Sequence, residues 1–128
     1  MKITVEIKDT KELQRTLEKL DKRAQAELKK ALYAEAELIM TESKKQVPVD
    51  TGTLRSTGYV KQPEEKGDLV EVEMGYGGPA APYAIWVHER TELHHNPPTK
   101  AKYLEDPVKT AAPKLPGALA KRLRKIIR

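Results

Sequence analysis

Ile3, Val5 and Ile7 alternate with Thr4, Glu6 and Lys8, the two-residue period of a strand with one buried face. Asp9 and Glu12 follow at the spacing of a capping box, in which the aspartate accepts from an early helical N–H and the glutamate reaches back to it. From there Leu13, Leu17, Leu20, Ala24, Leu28, Ala31, Glu35 and Leu38 recur at steps of three and four, and all but Glu35 are apolar. The stripe predicts a long amphipathic helix that continues until Pro48 stops it. Unbroken from Thr10 to Gln46, it would be roughly 55 Å long at about 1.5 Å per residue, against a radius of gyration of about 14 Å for a compact chain of this size. The helix therefore bends or splits, near Asp21 and Lys22, or it projects and packs on a neighbour.

Past Pro48 the helical period disappears. Residues 54–62 read as a strand, 63–68 as a charged turn and 69–76, with Val70, Val72 and Met74 on one face, as the antiparallel partner. A loop rich in Gly and Pro leads to Tyr83-Ala84-Ile85-Trp86-Val87-His88, the densest apolar cluster, which reads as a short buried helix. Residues 90–99, with Asn96-Pro97-Pro98, form an exposed excursion. Leu115, Leu119, Leu123 and Ile126 mark a last helix whose first turns Pro113 and Pro116 weaken. The expected fold is α+β: a long N-terminal helix, bent or split, and a C-terminal helix packed on a small antiparallel sheet, as one domain over residues 1–128.

Composition narrows the reading. With 128 residues, 38% hydrophobic and 34% charged, no Phe and a single Trp, the core is expected to be thin and to be completed against copies of the same chain. No apolar run reaches the roughly 20 residues of a membrane span, and the first residues do not form a signal peptide, so a soluble protein assembled in the cytoplasm is expected. The absence of Cys excludes disulfides and thiolate metal sites. The net charge is +5, and no acidic residue follows Asp106, whereas Lys121, Arg122, Arg124 and Lys125 cluster near the end. Two readings of that cluster stay open: a solvated helix face suited to a helix C-terminus, or a surface for phosphate or an acidic partner.

Candidate chemistry is sparse. Asp50-Thr51-Gly52 matches the tripeptide of aspartic proteases, but it follows a helix instead of lying between apolar strands, and an Asx-turn that returns Leu54 to the core explains it. His88-Glu89 lacks the second His four residues on, where Glu92 stands. His88, His94 and His95 lack the spacing of a metal set, and Gly75-Tyr76-Gly77-Gly78 is not a dinucleotide cradle. No catalytic, cofactor-binding or metal-ligating residue is assigned.

The order of three segments carries a resemblance. Gln46-Val47-Pro48-Val49-Asp50-Thr51-Gly52-Thr53-Leu54-Arg55-Ser56, then Pro82-Tyr83-Ala84-Ile85-Trp86-Val87-His88-Glu89, then Lys102-Tyr103-Leu104-Glu105-Asp106-Pro107, together resemble the tail-completion or head-tail joining proteins of long-tailed bacteriophages and prophages. The match spans nearly the whole chain. His88-Glu89-Arg90-Thr91 departs from the family, which often has a Glu-Xaa-Gly-Thr turn there, and residues 94–99 extend the next loop. The resemblance implies a structural protein of the virion neck, subunits in a sixfold ring, contacts with other neck and tail proteins, and no catalysis.

A closed ring needs one patch to meet a different patch on the next copy. Leu13, Leu17, Leu20, Leu28 and Leu38 are candidate subunit contacts, shared with the chain's own core. Lys121, Arg122, Arg124 and Lys125 are expected to face either DNA passing weakly held through the lumen or an acidic neighbour. The alternatives are a free basic nucleic-acid-binding protein, which lacks a recognised reading motif, and a metal-dependent hydrolase.

Overall fold

Alternation of Val5 and Ile7 with Lys2, Thr4 and Glu6 produces the first strand, β1 (Lys2–Ile7), with the apolar residues buried and the polar ones exposed. The computed structural model describes residues 1–7, 11–20, 23–48, 53–66, 69–78, 83–89 and 102–126. The capping-box residue Asp9, the Asp50-Thr51-Gly52 triplet and the excursion at 90–99 lie outside the described residues.

The long stripe is divided between two helices, α1 (Lys11–Leu20) and α2 (Ala24–Gln46), with Arg23 in a tight turn at φ −87° and ψ −8° before α2. Asp21 and Lys22, where the bend was expected, fall outside the described residues. Pro48 ends α2 through its effect on the residue before it: Val47 is extended at φ −68° and ψ 129°, the conformation the proline ring imposes. Val47 nevertheless stays fully buried.

Residues 54–62 do not form the expected strand. Thr53–Ser56 is a helical turn (α3), and only Tyr59–Val60 (β2) is extended. Local hydroxyls explain the difference: Ser56 Oγ donates to the Thr53 carbonyl at 2.7 Å and Thr57 Oγ1 to that of Leu54 at 2.6 Å, offering the backbone a turn in place of a ladder. Within the expected turn at 63–68, Glu64–Lys66 is itself a strand (β3). β4 (Leu69–Gly75) is the centre of the sheet, antiparallel to β1 on one side and to β2 and β3 on the other.

Val70, Val72 and Met74 point inward, with Val72 opposite Val5 and Val70 opposite Ile7. α2 covers this face at β4 and β2. Ala84–Glu89 is a short helix (α4), as the apolar cluster predicts. Glu105–Ala111 (α5) then runs through a 3₁₀ turn at Ala112–Lys114 into Leu115–Arg124 (α6), which packs on α1 and α2. Pro113 and Pro116 sit in the opening turns of their elements, where a missing N–H breaks no helical bond. The architecture is α+β, with α2 between the sheet and α6.

Two glycines permit close approach. A Cβ on Gly58 would lie 2.8 Å from Lys44 Cε, 2.9 Å from Tyr76 Cε1 and 3.1 Å from Met40 Sδ. At Gly75 it would lie 2.2 Å from the Met1 carbonyl oxygen, a backbone atom that a rotamer change cannot move.

Candidate functional site

The second and third motif segments meet around Tyr103, with Ser43 and Tyr76 from outside them. Ser43, fully buried on α2, donates to the Tyr103 carbonyl at 2.7 Å and shares a 2.8 Å bond with the Tyr76 hydroxyl. A serine has one proton to give, so Tyr76 is the donor in that second bond. The Tyr103 hydroxyl donates to the Ala84 carbonyl at 2.8 Å. The Tyr103 ring meets Tyr76 edge-on at 5.1 Å and His88 edge-on at 4.9 Å.

His88, only 3% exposed, joins α4 to the start of α5. Its Nε2 accepts from the Glu105 backbone N–H at 3.2 Å, satisfying a donor that the first helical turn leaves free. With Nε2 accepting, the neutral ring carries its proton on Nδ1 and donates to Glu89 Oε1 at 2.9 Å. The Lys102 N–H donates to the His88 carbonyl at 2.8 Å, and the Lys102 ammonium pairs with Glu89 and, at 3.5 Å, with Glu105. Lys102 stands at φ +57°, a left-handed conformation unusual for lysine, held by these bonds.

Electrostatics follow the geometry. The Lys102 ammonium, then the His88 donor, holds the Glu89 carboxyl below the usual carboxylate range, and Glu89 raises Lys102 in return. Burial pushes the Tyr76 phenol up to about 12, with the Ser43 bond and Arg55 partly opposing it. Tyr103 is raised further, by burial first and then by Tyr76 and Glu89. Both phenols stay protonated at neutral pH. The Ser43 proton is committed to a carbonyl and both His88 nitrogens are bonded, so this constellation fastens four elements together and presents no activated nucleophile or base.

The other candidate residues separate by burial. Leu54, Ala84, Leu104 and Pro107 are buried, Pro48, Arg55 and Val87 half-buried, and Ser56, Tyr83 and Glu89 exposed. Arg55 Nε and Gln46 Oε1 are buried without a hydrogen-bond partner among the described residues. Leu13, Leu20 and Leu28 are taken up by the chain's own core, Leu17 is half-buried, and Leu38 is 58% exposed. Leu38 rims an open groove of about 600 Å³ between α2 and the α5–α6 segment, floored by Ile39, Pro107, Ala111, Leu115 and Ala118. Lys121, Arg124 and Lys125 are exposed, whereas Arg122 is tied to Glu35.

Residues 11–106 match the family described as "Bacteriophage HK97-gp10, putative tail-component". The chain belongs to this HK97-gp10-like family. The match covers α1 through the opening of α5 and includes the first two motif segments and the third up to Asp106. No curated protein and no solved structure matches the chain. The HK97-gp10-like assignment makes it a phage tail component, with the virion as its location and other tail proteins as its partners. It agrees with the resemblance carried by the three motif segments. Among the described residues, no helix is long and apolar enough to cross a membrane, and no group of His, Asp and Glu could hold a metal ion.

Ser43 and Tyr76 were absent from the sequence-derived site. Ser43 follows Ala36, Ile39 and Met40 on the buried side of α2, and a hydroxyl in an apolar phase is the signal that could have found it. Tyr76 carried no comparable signal, because its ring is fixed by partners on α2 and beside α5.

Proposed function

We propose that this tail component is a structural subunit of the phage neck, assembling into a closed ring, sixfold in the family it resembles, that joins or completes the head-tail interface. The observation that carries the reading is that the family's motif residues are spent on structure. Tyr103, Ala84, His88 and Leu104 are buried, and the polar atoms among them bond one another, the backbone or the Glu89 carboxylate. A rigid frame of this kind suits a part that must hold its shape under the pressure of a packaged genome.

The exposed Leu38 beside its groove supports self-association, because it is a large apolar side chain that the fold leaves uncovered. In the ring, genomic DNA passes through the lumen with weak contact. Lys121, Arg124 and Lys125 face either that lumen or an acidic neighbour, while Arg122 is engaged with Glu35. The particle is assembled in the host cytoplasm, from this chain and other neck and tail proteins, without a catalytic step.

Sedimentation velocity over a wide concentration range, alone and with the neck proteins of the same phage, tests the reading. A discrete ring-sized species is expected. A monomer under every condition, absent from purified virions by mass spectrometry, would overturn it.

A further inference from the structure

The outer face of the sheet carries an arrangement that a free subunit gains nothing from. Glu6 on β1 stands directly opposite Glu71 on β4, and Glu71 directly opposite Glu64 on β3. Three carboxylates therefore share one cross-strand row on one face, and like charges placed opposite each other destabilise a sheet. The adjacent row is treated differently. Glu73 has Lys61 at 3.2 Å, Lys2 at 3.7 Å and the Tyr59 hydroxyl at 3.0 Å, and these lower its pKa. Glu64 has Lys66 at 3.5 Å, but Glu6 and Glu71 have no cation within reach among the described residues.

The complementary surface is on the far side of the same chain. Lys114, Ala118, Lys121 and Lys125 follow at steps of four, three and four, which places them on one stripe along the 3₁₀ turn and α6. The three lysines are exposed, and no acidic residue follows Asp106 on their own segment, although Glu35, Glu42 and Asp106 line the groove beside Lys114. Leu38 faces the same groove as Lys114 and Ala118, so apolar surface accompanies the charge. Because α2 lies between the sheet and α6, the lysine stripe cannot reach the carboxylate row of its own chain.

We propose that the carboxylate row of one subunit docks the lysine stripe of the next copy, with α6 laid across the strands. The spacings agree: carboxylates on neighbouring strands are about 5 Å apart, and Lys121 and Lys125, four residues apart, are separated by about 6 Å along the helix axis. Different patches on opposite sides make the contact heterologous, the type that closes a ring when the rotation permits. The proposal rests on the reading of the chain as a ring subunit and specifies which surfaces meet.

Charge reversal tests it on the full chain by sedimentation velocity, with circular dichroism as the folding control. The row variant Glu6→Lys with Glu71→Lys and the stripe variant Lys121→Glu with Lys125→Glu are each expected to lose the ring, and a chain carrying all four changes to regain it. The neutral pair Glu6→Gln with Glu71→Gln guards against misfolding. It relieves the crowded carboxylates, so the free subunit melts no lower than the wild type while assembly weakens on the order of tenfold. Wild-type assembly by the neutral pair and by both reversed variants would overturn the contact and leave the ring standing. A wild-type chain that never assembles would overturn both.

Discussion

Ser43 and His88 do at the residue scale what a larger apolar core would otherwise do. Replacing Ser43 with Ala leaves the Tyr76 hydroxyl and the Tyr103 carbonyl buried without their partner, so unfolding in urea is expected to show a loss of about 2 kcal/mol. His88→Phe keeps a ring against Tyr103 but removes the acceptor for the Glu105 N–H and the donor to Glu89. A loss of about 1–2 kcal/mol is expected, and His88→Ala, which also opens a cavity, loses more. Tyr76 sets an alkaline limit. Its folded pKa is raised from 10.0 to about 12, so its contribution is complete below pH 10 and lost as pH rises through about 12. Glu89 and Glu73 act in the opposite direction: their lowered values contribute above the ordinary carboxylate pKa of 4.5, and the contribution is lost as pH falls through the folded values. Stability measured against pH is expected to decline at both ends, with the tyrosinate absorbance of the buried Tyr76 and Tyr103 appearing together with alkaline unfolding.

Among the elements, α1, α2, α6, β1 and β4 were legible because burial on one face writes a period into the chain. The phase of the stripe was legible only over a limited distance. Leu28, Ala31, Leu32, Ala36, Ile39, Met40 and Ser43 are the positions buried on α2, whereas the steps on through Glu35 drift, so that Leu38 lies about 80° round the helix from Leu28 at about 100° per residue. A run of three- and four-residue steps did not by itself show which branch faces the core. The turn at Thr53–Ser56 was misread as strand because its Thr and Ser hydroxyls suit either conformation until they find local carbonyls. Glycines test the packing between elements. Gly75→Ala is expected to destabilise more than Gly58→Ala, because the added carbon meets the Met1 backbone at one site and side-chain atoms at the other. Thermal melts of the two variants check the order, with about 1–3 kcal/mol expected at Gly58.

At the scale of the whole molecule, the net charge of +5 hides two separate surfaces, a carboxylate row on the sheet and a cationic stripe on the last helix. The candidate cations are not equivalent. Arg122→Ala is expected to lower the melting temperature by removing the partner of the half-buried Glu35, whereas Lys121→Ala and Lys125→Ala leave it within the range of ordinary surface changes, about 0.5 kcal/mol. Leu38→Ser belongs with the lysines: the subunit keeps its stability, and sedimentation shows weaker self-association. If Leu38→Ser lowered the melting temperature instead, the side chain would belong to the core.

The chain alone determined the fold class, the family and the motif segments, because local periodicity and short segments in a given order need no knowledge of what packs on them. Tertiary structure decided what those residues do. Only when α2, β4, α4 and α5 converge does a serine on one find tyrosines from two other segments, and does a histidine cap a helix seventeen residues away. The carboxylate row likewise exists only in the strand register. Hydrogen-bond partners and cross-strand neighbours are distant in sequence and near in space, so they are set by packing and leave no period for a reader to find.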